Sequence, residues 1–158
     1  MPGLKRVLAA LAISSALVWV TSTAALAAGN PGRQPLPGPD QVGFCPAFGW
    51  VTEHAVLDRE YYKTYTLADG TIKFLVEGSL TIELTGNGRT VTVNAGGPGA
   101  EYVRPDGSVT VLGNGRVLFT GVHGEGIWLY NGKIVVDGNT GLIISRTGHA
   151  TDVCAMLA

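Results

Sequence analysis

The segment His123-Gly124-Glu125-Gly126 sets an imidazole and a carboxylate two residues apart among glycines. On a β-strand such residues share a face, so His123 and Glu125 could serve as acid and base or hold a metal ion. The H-x-E of zinc deaminases needs a P-C-x-x-C partner, and the chain has none: its two cysteines, Cys45 and Cys154, stand far apart. A solvated loop is the favoured reading, with no metal and no cofactor expected. Glu53-His54 and His149-Ala150-Thr151-Asp152 lie near the two cysteines in sequence, so a bridge would carry both to one end of the domain, where His54, His149 and Asp152 could cluster. Ser145 lacks the G-x-S-x-G elbow of a hydrolase nucleophile. Gly96-Gly97-Pro98-Gly99 has neither the Lys-Ser/Thr nor the helix start that a phosphate loop needs. Aromatic residues remain. Phe48, Trp50, Tyr61, Tyr62, Tyr65, Trp128 and Tyr130 are the candidates, with Tyr61 and Tyr62, which must point to opposite faces of a strand, and Trp128 and Tyr130 put first for a sugar or an apolar ligand, against the commoner use of such rings as core.

The elements that must position these residues are strands. Leu80, Ile82 and Leu84 alternate with Thr81, Glu83 and Thr85; Val91, Val93 and Ala95 alternate with Thr92 and Asn94; Ile72, Phe74 and Val76 alternate less cleanly. Period two marks half-buried antiparallel strands. Asp69-Gly70, Gly86-Asn87-Gly88, Gly96–Gly99, Pro105-Asp106-Gly107, Gly113-Asn114-Gly115, Asn131-Gly132 and Gly138-Asn139 separate the apolar runs and read as turns, because Asn-Gly and Asp-Gly tolerate positive φ. The expectation is an all-β antiparallel meander of about eight or nine short strands, with a barrel favoured over a sandwich because closure hides sheet edges. Strands shorter than about 9–11 residues, with Lys73, Glu77 and Glu83 inside them, argue against a membrane barrel. Gly86-Asn87-Gly88-Arg89 recurs as Gly113-Asn114-Gly115-Arg116, which is turn chemistry and not evidence of a duplication.

The 158 residues allow one domain and include 23 glycines; 15% are charged, and the formal net charge is −1. No basic surface recommends a nucleic-acid partner. Residues 1–27 read as a secretory signal peptide: Lys5 and Arg6, an apolar stretch from Val7 to Val20, then Ala25-Leu26-Ala27 for cleavage. Residues 28–41, rich in proline and glycine, should form an extended mobile arm, and 42–158 a single β domain with no membrane span in the mature protein. In an exported protein Cys45 and Cys154 are expected to pair, closing a loop of about 110 residues between a cysteine ahead of the first strand and one in the last.

Phe44-Cys45-Pro46-Ala47-Phe48, Asp58-Arg59-Glu60 with Lys63-Thr64, Thr66-Leu67-Ala68-Asp69-Gly70-Thr71, Gly97-Pro98-Gly99, Asp106-Gly107-Ser108 and Asp152-Val153-Cys154-Ala155 resemble a group of small exported proteins common in actinobacteria. The resemblance covers nearly all of the mature domain, with the paired cysteines as its most specific element. It implies an actinobacterial, extracellular origin and carries over no catalytic residue. The functional expectation is a secreted, non-enzymatic protein that binds a small apolar or glycan ligand or sits in the cell envelope; the alternative is a small secreted hydrolase or isomerase using His123 and Glu125.

Overall fold

The computed structural model describes residues 32–36, 38, 40–121 and 125–158. Residues 1–27, read as a signal peptide, residues 28–31, 37 and 39 of the expected arm, and His123 lie outside them. The described chain forms eleven strands and one short helix: β1 (Gln34–Pro35), β2 (Gln41–Cys45), β3 (Gly49–Asp58), β4 (Tyr61–Thr66), β5 (Ile72–Glu77), β6 (Leu80–Gly86), β7 (Arg89–Asn94), β8 (Gly99–Val103), β9 (Val109–Thr120), β10 (Ile127–Asp137), β11 (Ile143–Asp152) and α1 (Val153–Leu157). They make two antiparallel sheets, ordered β1-β4-β5-β8-β9-β10-β11 and β2-β3-β6-β7.

The meander survives in a modified form. The chain passes between sheets at Arg59-Glu60, Gly78-Ser79 and residues 95–98, so β3 with β4, β5 with β6 and β7 with β8 act as successive halves of longer strands. These corners are stitched to one another: Arg59 N–H donates to Ser79 O (2.9 Å), Ala95 N–H to Leu80 O (2.9 Å) and Asn114 N–H to Pro98 O (2.8 Å). The line continues across the larger sheet as a row of glycines in register, Gly115 opposite Gly132 and Gly132 opposite Gly148. All three have positive φ (86°, 152° and 95°), which glycine adopts without the Cβ penalty.

Two of the expected turns are therefore not turns. Gly113-Asn114-Gly115 lies inside β9 and Asn131-Gly132 inside β10, which reach 12 and 11 residues. Positive φ can serve a kink within a strand as well as a hairpin: Gly115 and Gly132 adopt it, while Gly113, Asn114 and Asn131 keep ordinary backbone angles. With β3 and β11 at 10 residues each, the shortness of the strands no longer argues about membranes; no described helix is long and apolar enough to cross one.

No closed barrel is found among the described residues. Where β2 meets β10 there is no ladder; instead Cys45 at the end of β2 bonds to Cys154 in α1, with Cα atoms 5.5 Å apart. Cys154 thus sits in a helix, not in the last strand. A five-residue helix has no stability of its own. Asp152 caps it by accepting from Ala155 N–H (3.1 Å), and Val153 and Leu157 are fully buried against β7 and β10. Each such side chain contributes about 1.5–3 kcal/mol, and the bridge, closing 109 residues, adds about 4–5 kcal/mol in the chain-entropy account. The core between the sheets gathers Val51, Leu80, Ile82, Leu84, Leu118 and Ile127 around this staple. A second cluster, Val111, Val117, Phe119, Tyr130, Ile134 and Val136, lies on the opposite face of β9 and β10.

Candidate binding surface

The expected site residues are dispersed. Tyr61 and Tyr62 do point to opposite sides of β4, and both hold the arm. Tyr61 donates to Glu77 Oε2 (3.0 Å) beneath the Arg33 guanidinium, 4.2 Å from its ring centre. Tyr62 donates to Gln34 and leans on Phe74. On β10, Tyr130 is buried against Phe119 and accepts from Arg146 (3.0 Å), while the Trp128 indole donates to Glu125 O (2.8 Å). Three strands of the sheet separate the two pairs. Glu125 is exposed, and the geometry of His123 beside it lies outside the described residues. His54 pairs with Asp40 (2.6 Å) and Asp152 is occupied as a helix cap, so His54, His149 and Asp152 do not converge.

Two carboxyls stand out, Glu53 buried and Glu60 half-buried. Glu53, on the inward side of β3 and 4% exposed, accepts from Thr120 Oγ1 (2.8 Å) but its Oε2 has no partner among the described residues. Burial raises its pKa, against the lowering effect of the Thr120 hydroxyl. Gln41 stands directly opposite on β2, its Oε1 also buried and unpartnered. Glu60, at the first corner, is pushed up to about 7 by burial and then by the Asp58 carboxylate. It lines a cavity of about 20 Å³ with Val76, Gly97, Gly99, Gly113 and Val117, room for one water molecule. Asp58 itself accepts from the backbone of Gly38 and of Glu60, so this corner anchors the arm.

The outer face of the smaller sheet is different in kind. Alternation sends Val51 and Glu53 inward and Trp50, Thr52 and His54 outward. Trp50 is 72% exposed and stands opposite Phe44 on β2, the rings 5.3 Å apart and edge to face at 75°. Beside them runs a row of four residues across four strands, Val42, Thr52, Thr85 and Thr90. Thr52 Oγ1 donates to Thr85 O (3.4 Å), and the Thr85 and Thr90 hydroxyls are 2.9 Å apart. The next row is His54, Glu83 and Thr92. An aromatic ring held by its neighbour, next to oriented hydroxyls, is an arrangement that can bind a ligand. Trp50 was among the sequence's aromatics, yet its exposure became visible only once Val51 was placed in the core.

Comparison with protein families, with curated proteins and with solved structures finds no match to this chain.

Proposed function

We propose that the protein is a secreted, non-enzymatic binding protein of the cell surface or its surroundings, and that the outer face of the four-stranded sheet is its binding surface. The observation that carries this is Trp50: a large indole left 72% exposed and braced by Phe44. Water-exposed aromatic area of that size costs free energy unless a partner covers it. The extracellular setting is supported by the signal-peptide pattern of residues 1–27, by the resemblance to small exported actinobacterial proteins and by the Cys45–Cys154 bridge, which suits an oxidising compartment.

The test is sedimentation of the mature protein with a washed cell-envelope preparation of the producing cells. Binding that is lost in Trp50→Ala and kept in Trp128→Phe is expected; equal binding by the wild type and Trp50→Ala would remove this face from consideration. Mass spectrometry of the exported protein should show loss of residues 1–27 or 28 and a mass two protons below the reduced form. Retention of the full chain would end the claim of cleavage and export.

A further inference from the structure

We infer that the partner of this face is a neutral glycan chain, lying across the strands with one sugar ring stacked on Trp50 and its neighbours hydrogen-bonded to the threonine row. The inference rests on the reading above, that the face binds at all, and adds what it binds.

Three features of the face select this chemistry. The indole is fixed in advance: Phe44 meets it edge to face from the neighbouring strand, so little side-chain freedom is lost when a flat apolar ring face settles on it. A sugar offers such a face through its C–H bonds. Next, Thr52, Thr85 and Thr90 place hydroxyls on three adjacent strands, about 4.8 Å from one strand to the next. That step is close to the length of one sugar unit in an extended chain, so successive units meet successive hydroxyls. Hydroxyls both donate and accept, which matches a polyol better than a partner carrying one kind of group.

Charge gives the third argument. Among the described residues, the rows beside the threonines carry His54, already paired with Asp40, and Glu83. No cationic side chain in these rows is free for an anionic polymer, and one carboxylate is too little for a cationic one. A second copy of this chain is the competing occupant, because Val42 and Val56 are also exposed on β2 and β3 (58% and 49%). Stable protein interfaces bury about 800 Å² on each side with an apolar, well-packed centre, and here the centre of the face is threonine. A polyhydroxylated chain fits that centre.

The experiment uses the mature, disulfide-bonded protein and purified neutral polysaccharides as probes: cellulose, chitin, mannan and arabinogalactan, by depletion for the insoluble ones and calorimetry for soluble fragments. At least one should bind. Trp50→Ala should weaken that binding about thirty-fold, the loss typical of a central anchor. Thr85→Val, which keeps the shape and removes the hydroxyl, should weaken it about three- to tenfold. Both positions are exposed, so unchanged melting temperatures are expected and report that the fold is intact. If no neutral glycan binds while envelopes still sediment the protein through Trp50, the glycan assignment falls and the binding face stands. Equal glycan binding by the wild type and Trp50→Ala would overturn the assignment by placing the sugar elsewhere. So would a concentration-dependent dimer that Trp50→Ala abolishes.

Discussion

The tetrapeptide Gly-Asn-Gly-Arg occurs twice, and the fold uses the two copies for opposite purposes. At Gly86–Arg89 it reverses the chain: Asn87 and Gly88 both have positive φ (51° and 71°), as a two-residue hairpin between β6 and β7 requires. At Gly113–Arg116 the same residues run straight through β9, with only Gly115 at positive φ (86°). The difference lies in the neighbours. The first copy ends a ladder, with open space around Gly88, and Asn87 donates to Leu157 O (3.1 Å), tying the turn to α1. The second copy is held on both sides, by Pro98 of the preceding corner and by the in-register β10. Local conformational tolerance is shared; tertiary pairing decides what is done with it.

The sharpest way to break this comparison is to fill the glycine row beside the second copy. A Cβ on Gly132 would lie 2.1 Å from Thr147 O and 2.9 Å from the Gly148 Cα, both backbone atoms that cannot step aside. Gly132→Ala should therefore cost about 3 kcal/mol or more, by overpacking added to unfavourable φ. Gly88→Ala meets nothing within 4 Å and should cost only the αL penalty of about 1–2 kcal/mol. Urea unfolding of the two variants measures the gap. Equal losses would mean that the row in the strands is as forgiving as the hairpin.

Glu60 sharpens the comparison from the other side of the cavity, which it shares with Gly113 of the second copy. Its pKa is raised from 4.5 to about 7, first by burial and then by Asp58. Between those values the folded protein binds the proton and the unfolded chain does not, so stability falls as pH rises from about 4.5 to about 7 and is level above. The full shift corresponds to about 3 kcal/mol, and water reaching the part-exposed carboxyl brings this to about 1–2 kcal/mol. Glu60→Gln should lack that contribution, so its unfolding midpoint should fall less between pH 5 and pH 8 than the wild type's. Asp69 and Asp106, held low by hydrogen bonds from their own turns, act only in more acid solution. A pH difference unchanged in Glu60→Gln would show that the second copy's cavity holds no titrating group.

How much of this was legible beforehand follows the same division. Alternation found β6 and β7 and their inward residues, because one wet face leaves a period-two trace; in β5, where it was less clean, Val76 is buried but Ile72 is exposed. It could not find where β9 passes from one core to the other: Val117, Leu118, Phe119 and Thr120 are all buried, so the trace disappears where both faces are covered. The pairing of Cys45 with Cys154 needed only compartment and count. The helix that carries Cys154 left too short a pattern to read, and Trp50 was indistinguishable from a core aromatic until Val51 took the inward position. Tyr130 shows the converse, an aromatic picked for binding that packs inside with Phe119.

The cleanest contrast changes the same side chain in the two copies, where the smallest effect is expected at Asn114. Asn87→Ala places an alanine at φ 51° and removes the donor to Leu157 O, the last turn of α1. Strain of about 1 kcal/mol and a lost hydrogen bond of about 0.5–1.5 kcal/mol should together lower stability by roughly 2 kcal/mol. Asn114 is exposed, lies outside the positive-φ region and has no side-chain hydrogen bond among the described residues, so Asn114→Ala should stay within about 0.5 kcal/mol of the wild type. A third variant, Asn87→Gly, relieves the strain and still lacks the amide; its loss should be smaller than that of Asn87→Ala and still measurable, isolating the tie to α1. If Asn87→Gly matched the wild type, the amide would contribute nothing and the first copy would act through backbone conformation alone. If Asn114→Ala lost as much as Asn87→Ala, the strand copy would depend on its side chain after all, and the contrast between turn and strand would have to be sought in Gly115 and Gly132 instead.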